Sequence, residues 1–192
     1  HKEYRRQRQM CIRDRLKVPE EGTRPTSDRA KEGLFSSLDV RFGFTHRRVL
    51  DLFAGSGALG LEAASRGAEM AVLVESNPKA AAICRENAKA VGLGGVFVEE
   101  TKASTYVASA PRDHFDMVLA DPPYDLDPET VNEIVEALRP LLRDEAVVVF
   151  ERSTDSPEPN WPDDFHPTTQ KLKKRTYGTT RFDMAVYHKT EG

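Results

Sequence analysis

The chain has 192 residues, of which 39% are hydrophobic and 31% are charged, and its formal net charge is −3. This length predicts one globular domain that can bury a core without disulfide bonds, and the composition excludes a collagen-like fibre and a disordered tail. The two cysteines, Cys11 and Cys84, have no second Cys or His at metal-ligand spacing, so we expect no zinc site. We expect a cytoplasmic protein, because the sequence shows no apolar run of roughly 20 residues and no disulfide framework.

Charge is unevenly distributed along the chain. Residues 1–48 contain 13 basic and seven acidic residues, and residues 171–181 contain five basic residues and no acidic ones. The rest of the chain contains 10 basic and 24 acidic residues. Two basic segments on an acidic body favour a protein that contacts a polyanion with one face, although a purely solvated surface can carry the same charges.

The chain divides into three predicted segments within one globular domain. Residues 1–15 show no helical or strand period, and we interpret them as a doubtful or artefactual segment without a functional role. Residues 16–46 form an N-terminal segment with a predicted helix at 26–38, and residues 47–192 form the main part of the domain.

Strand-like and helix-like patterns alternate from residue 47 onward. The predicted elements are strand 48–53, helix 58–66, strand 70–75, helix 78–91, strand 96–98, strand 115–120, helix 128–142 and strand 146–150. Apolar strands without alternation are typical of strands covered on both faces, and the βαβ order predicts a doubly wound parallel sheet. We expect a loop at 153–167, followed by an antiparallel hairpin made of 170–177 and 180–188.

A glycine-rich loop follows the first of these strands. Gly55, Gly57 and Gly60 form the pattern G-x-G-x-x-G, which lets the backbone turn sharply and approach a ligand. Glu75 ends the next strand, where a carboxylate can accept both hydroxyls of a ribose. Asp51 would repel the pyrophosphate of a dinucleotide but suits the cationic amino group of S-adenosylmethionine. We interpret the loop as a methyl-donor site, with an NAD-dependent oxidoreductase and a turn without a ligand as alternatives.

The motif Asp121-Pro122-Pro123-Tyr124 follows the fourth strand, at the sheet edge where α/β proteins bind ligands. An exocyclic base amine is a poor nucleophile, because its lone pair is delocalised into the ring. The Asp121 carboxylate and the Pro122 carbonyl can accept its two N–H groups and relieve the positive charge that develops during attack. Tyr124 can stack on the flipped base. The alternative is a proline-stiffened loop without a catalytic role.

The segments DLFAGSGALGLEA and ADPPY resemble those of class I, S-adenosylmethionine-dependent amino-methyltransferases. With RPTSDR, KEGLF and the terminal RTYG, the resemblance narrows to the RsmD-type 16S rRNA guanine-N2 methyltransferases of bacteria, and it covers about residues 16–189. It implies a Rossmann-like α/β fold with a mostly parallel seven-stranded sheet, flanked by helices and ending in an antiparallel hairpin. It also implies methyl transfer to the N2 of one guanine, on assembled or assembling 30S particles.

The resemblance further implies roles for individual residues. Residues 16–46 would contact RNA and close the donor site, and the product would be S-adenosylhomocysteine. The implied donor contacts are Arg24, Thr26, Asp51, Phe53, Ala54, Gly55, Ser56, Gly57, Glu75, Ser76, Asn77, Ala103 and Asp121. The implied catalytic residues are Asp121, Pro122, Pro123 and Tyr124. Lys102 stands where the family often carries an acid that faces the adenine amino group.

The basic run near the C-terminus is the predicted phosphate contact. Its residues are Lys171, Lys173, Lys174, Arg175 and Arg181. No metal is expected, because a sulfonium is a sufficient leaving group. The sequence thus predicts a monomeric methyltransferase that acts on 16S rRNA. The main alternative is an adenine-N6 methyltransferase on RNA or DNA, and a third is a catalytically idle RNA-binding assembly factor.

Overall fold

The computed structural model describes residues 16–17, 25–168 and 175–191. Its helices are α1 (Pro25–Arg41), α2 (Ala58–Ser65), α3 (Pro78–Val91), α4 (Ala103–Ser109) and α5 (Pro128–Leu138), and a short 3-10 turn follows at Arg139–Leu141. Its strands are β1 (Arg48–Leu52), β2 (Met70–Glu75), β3 (Val96–Glu100), β4 (Phe115–Ala120), β5 (Leu142–Ser153), β6 (Phe165–Pro167), β7 (Thr176–Tyr177) and β8 (Thr180–Tyr187). Within these ranges no helix is long and apolar enough to cross a membrane.

The strands form one sheet in the order β3-β2-β1-β4-β5-β8-β6, and the two-residue β7 pairs with the start of β8. Strands β1 to β5 are parallel neighbours, whereas β8 runs antiparallel to β5. The chain builds outward from β1 to β3 and then returns to β4 on the other side of β1. The strand order therefore reverses between β1 and β4, which is the point where open α/β sheets bind their ligands.

Helices cover both faces of the sheet, which explains the unbroken apolar runs of its strands. In β1, Val49 packs in the layer that contains α1 and α2, and Leu50 packs in the opposite layer with α4 and α5. Both side chains are fully buried. Because successive side chains of a strand point to opposite faces, a strand covered on both faces is apolar at every position.

The fold class predicted from the sequence is confirmed, and the differences lie at element boundaries. The predicted helix 128–142 ends at Leu138, because Pro140 has no N–H to continue it and lies in the 3-10 turn. Strand β5 begins at Leu142 rather than at residue 146, because exposed polar residues and a bulge near Glu145 (φ 64°) hide its start.

The C-terminal part of the sheet also differs in detail from the prediction. Segment 153–167 is not loop throughout, since its last three residues form β6 and pair with β8. The predicted hairpin is confirmed around Gly178 (φ 60°), where β7 pairs with β8, whereas residues 170–174 lie outside the described residues. Strand β7 makes the sheet eight-stranded rather than seven-stranded. Helix α4 was not predicted at all.

Candidate active site

The carboxyl ends of β1, β2, β4 and β5 meet at one edge of the sheet, and the loops that follow them form a crevice. The glycine loop follows β1, the turn at 76–77 follows β2, and the loop at 121–124 follows β4. Because β1 lies between β2 and β4, the glycine loop has the other two on either side of it. The sheet thus brings together the two motifs that the sequence singled out.

The glycine loop needs glycine at positions where the backbone is left-handed and space is short. Gly57 has a φ of 85°, and a Cβ atom there would lie 2.7 Å from a Leu73 methyl group and 2.8 Å from the Cys84 sulfur. A Cβ at Gly60 would lie 2.8 Å from Leu73 and 3.1 Å from Asp51 Oδ2. Any side chain at these two positions would push the start of α2 away from β2.

Asp51 is a buried carboxyl group with one unused oxygen. Its Oδ2 accepts the backbone N–H of Gly60 at 2.9 Å, whereas its buried Oδ1 makes no hydrogen bond within the described part of the chain. Burial raises the pKa of Asp51 to about 7, the Gly60 bond opposes the rise, and the neighbouring Asp121 adds to it. A carboxylate in this position is stabilised by a cationic hydrogen-bond donor at Oδ1.

Glu75 holds the glycine loop and the loop after β2 together. Its Oε1 accepts the N–H of Gly55 and its Oε2 accepts the N–H of Asn77, both at 2.9 Å. Each carboxylate oxygen has a second lone pair, so the group can still accept a diol. The Asn77 side chain is the N-cap of α3 and accepts the N–H groups of Lys79 and Ala80. It therefore positions α3, and its carbonyl oxygen is already engaged.

A cavity of about 250 Å³ opens beside Glu75. It is lined by side chains from the ends of β1 and β2, the start of α4, and α5 with the loop before it: Phe53, Val74, Glu75, Ser76, Lys102, Ala103, Ser104, Leu126, Thr130 and Ile134. The predicted donor contacts Phe53, Glu75, Ser76 and Ala103 are brought together here. The contribution of α5 was missed, since its apolar positions predict only core packing.

Asp121 and Glu151 form a second acidic pair at the same edge. In the β4–β5 register Ala120 pairs with Phe150, so the next residue of each strand lies beside the other. A hydrogen bond joins the two carboxyl groups, which requires that the pair hold a proton. Burial raises the pKa of both, that of Glu151 to about 7, and the Lys31 ammonium of α1 opposes the rise.

The rest of the Asp121 loop projects towards solvent. Pro122 is buried, whereas Pro123 and Tyr124 are exposed, and Tyr124 retains 58% of its accessible surface. The Pro123 carbonyl accepts the N–H of Leu126 at 3.0 Å and closes the turn. The tyrosine ring is therefore available to stack on a planar ligand at the mouth of the crevice.

Asn87 of α3 is a structural residue of the site that the sequence did not reveal. It is 1% exposed, and its Nδ2 donates to the Ser56 carbonyl and to the Lys17 carbonyl, each at 2.9 Å. Its Oδ1 accepts the Lys17 N–H at 2.8 Å. Asn87 thus fastens the N-terminal segment to the glycine loop, and no sequence pattern marks a lone Asn in a helix for this role.

Several predicted site residues are not placed in the crevice. Arg24 lies outside the described residues, and Thr26 is described only as backbone of α1. The lysines of the basic run also lie outside them. These are Lys171, Lys173 and Lys174.

The two arginines of the basic run are engaged within the protein. The Arg181 side chain is 7% exposed and forms a two-pronged ion pair with Asp183 at 2.8 Å. Arg175 contacts Glu158 and Asp183, each at 2.7 Å. Arg181 is thus a structural ion pair rather than the exposed phosphate contact that was predicted, because counting charges along a sequence cannot show which of them are paired.

No group of three or more His, Cys, Asp or Glu side chains within the described ranges is arranged to hold a metal ion.

A family model described as conserved hypothetical protein 95 matches residues 10–186. The chain is 35% identical over 151 residues to ribosomal RNA small subunit methyltransferase D of Escherichia coli strain K12, which covers 77% of this chain and 74% of the relative. It is 32% identical over 173 residues to the protein of the same name from Haemophilus influenzae, covering 85% and 83%. The solved structure titled "Putative methyltransferase yhhF from Escherichia coli" is 28% identical with a TM-score of 0.74, covering 90% of this chain and 92% of that one. The chain belongs to the conserved hypothetical protein 95 family, that of the RsmD-type class I methyltransferases.

Proposed function

We propose that this methyltransferase transfers a methyl group from S-adenosylmethionine to the exocyclic N2 of a guanine in small-subunit 16S rRNA, on 30S particles. The observation that carries the proposal is the placement of the Asp121 loop directly beside the glycine loop, with Asp51 and Asp121 close enough for their charges to interact. The printed names of the relatives, which are small-subunit rRNA methyltransferases, support rRNA as the substrate.

The residues around the glycine loop fit the methyl donor. The unused Oδ1 of Asp51 suits the donor's cationic amino group, and the Glu75 carboxylate suits its ribose hydroxyls. The cavity between Phe53 and Ala103 is apolar on two sides, as a planar adenine requires. Lys102 lines the same cavity, so the adenine amino group would meet main-chain acceptors there rather than an acidic side chain.

The Asp121 loop supplies the groups that act on the base. When bound, S-adenosylmethionine supplies an electrophilic methyl carbon, whose bond to sulfur breaks with both electrons going to sulfur as the bond to N2 forms. Asp121 and the Pro122 carbonyl accept the N–H groups of the guanine amine and stabilise the positive charge that builds on N2. Asp121 then faces the proton that N2 must release. Tyr124 stacks on the base and holds it in line with the methyl group.

The proposed enzyme acts as a monomer in the cytoplasm and contacts rRNA phosphates through Lys171, Lys173 and Lys174. The test is a tritiated-methyl transfer assay on 30S particles and on naked 16S rRNA, both from cells that lack their own enzyme, followed by separation of the labelled nucleosides. N2-methylguanosine is the expected product, and the particle should be the better substrate. N6-methyladenosine would overturn the substrate assignment. Binding of NAD but not of S-adenosylmethionine in isothermal titration would overturn the reaction itself.

A further inference from the structure

Glu151 has no role in the methyl transfer described above, yet it is buried against the reacting site. It is 6% exposed, and its Oε2 is buried without a hydrogen-bond partner within the part of the chain that the structure describes. Because residues at equivalent positions of adjacent parallel strands point to the same side of the sheet, Glu151 and Asp121 face the crevice together. An unpaired buried oxygen is costly, so its presence beside the reacting group points to a ligand.

Guanine and adenine differ in what they present beside the amine. In guanine the N2 amine lies next to N1–H, so the edge offers two adjacent donors. In adenine the N6 amine lies next to N1, which is an acceptor. Enzymes that flip a base read it through hydrogen bonds to this edge.

We propose that Glu151 selects guanine: its Oε2 accepts the N1–H of the target base while Asp121 accepts an N–H of N2. This inference rests on the proposed function and extends it by naming the residue that sets the choice of base. Since Oε2 is free, it is the other oxygen of Glu151 that bonds to Asp121. Adenine would bring its N1 acceptor against Oε2 and leave both unpaired, which the buried site disfavours.

The proton of the acidic pair has a defined place in this arrangement. With the proton on Glu151, the acid donates it to Asp121, keeps Asp121 anionic, and still offers its carbonyl oxygen to N1–H. Burial and the Asp121 charge raise the pKa of Glu151 to about 7, and Lys31 from α1 opposes them. Asp51 adds its charge through Asp121, and the residue opposite Glu151 on β8 is the uncharged Phe182.

Two substitutions at Glu151 separate recognition from folding. Glu151→Gln keeps a carbonyl acceptor for N1–H and an N–H donor for Asp121, whereas Glu151→Leu has neither. We expect Glu151→Leu to lower kcat/KM on 30S particles at least about tenfold without changing donor affinity, and Glu151→Gln to retain a larger share of activity. The wild-type rate should fall as pH rises through about 7, because the active pair loses its proton, and Glu151→Gln should lack this decrease.

The wild-type product separates the two claims. If the wild type forms N2-methylguanosine, the proposed function stands, and the variants then test Glu151 alone. A Glu151→Leu enzyme with wild-type kcat/KM would overturn the role of Glu151, as would equal losses in the two variants. If Glu151→Leu fails to fold, the pH profile of Glu151→Gln decides: an unchanged decrease with pH would overturn the proposal.

Discussion

Three carboxyl groups, those of Asp51, Asp121 and Glu151, are buried at the same sheet edge, and burial raises the pKa of each. A carboxyl group with a raised pKa in the folded protein binds a proton that the unfolded chain has already released. These groups therefore reduce stability as pH rises from the usual carboxyl range towards about 7. The Lys31 ammonium opposes this effect without removing it. A bound cationic group would relieve it, so the site is built for ligand binding at some cost in stability.

Replacing Asp51 by Asn should separate stability from donor binding. Asn keeps an oxygen for the Gly60 N–H but carries no charge, so the free energy of unfolding of the ligand-free protein should increase by about 1–4 kcal/mol at pH 8. The gain should shrink below about pH 4, where Asp51 is neutral in both states. Donor affinity should decrease at least about tenfold, because the charged partner of the amino group is lost.

Urea unfolding at the two pH values and isothermal titration with S-adenosylmethionine measure these effects. Asp125→Asn, an exposed acid in the loop after β4, is the control and should change neither quantity. Unchanged donor affinity in Asp51→Asn would contradict the role assigned to Oδ1.

At the scale of the element, the sequence predicted what depends on local patterns. Strand β4 and helix α3 were predicted with their observed bounds, because an apolar run, an N-terminal Pro78 and a C-terminal Gly92 are local signals. The roles of Asn87 and Glu151 could not be predicted. Asn87 contacts Ser56, which is 31 residues away in sequence, and Glu151 gains its neighbour only when β4 and β5 pair.

The junction of β1, the glycine loop and α2 gives a test of this close packing. Gly57 and Gly92 both have positive φ, but a Cβ atom would collide with Leu73 and Cys84 at Gly57, whereas the space at Gly92 is open. Gly92→Ala should cost about 1 kcal/mol from backbone strain, and Gly57→Ala should cost at least about 2 kcal/mol more because the core must shift. Equal losses in urea unfolding would show that the predicted collision does not occur.

At the scale of the whole molecule, charge is segregated across the sheet. The basic run adjoins β7 and β8, whereas α3 packs against β2 and β3 towards the opposite edge. Arg175 and Arg181 are neutralised by Glu158 and Asp183, so the net positive charge of this region comes from its lysines. A single basic edge would orient the protein on RNA, with the crevice placed by that contact.

Replacing Lys171 and Lys173 by Gln should therefore weaken binding to 30S particles and reduce the slope of log affinity against log salt by about 1 for each lysine. Fluorescence titrations over a range of salt concentrations measure the slope. The matched control is Lys79→Gln with Lys89→Gln on α3, which has the same charge change and should leave the slope unaltered. A slope that responds equally to both pairs would place the RNA contact elsewhere.

The central claim is that the Asp121 carboxylate, presented at the end of β4, drives methyl transfer to a guanine amine. Its most direct test is the single-turnover rate of tritiated-methyl transfer to 30S particles by Asp121→Asn, with Asp125→Asn from the same loop as the control. The account predicts a loss of about 100-fold or more in Asp121→Asn with S-adenosylmethionine still bound, and a wild-type rate of N2-methylguanosine formation in the control. A wild-type rate in Asp121→Asn would contradict the account.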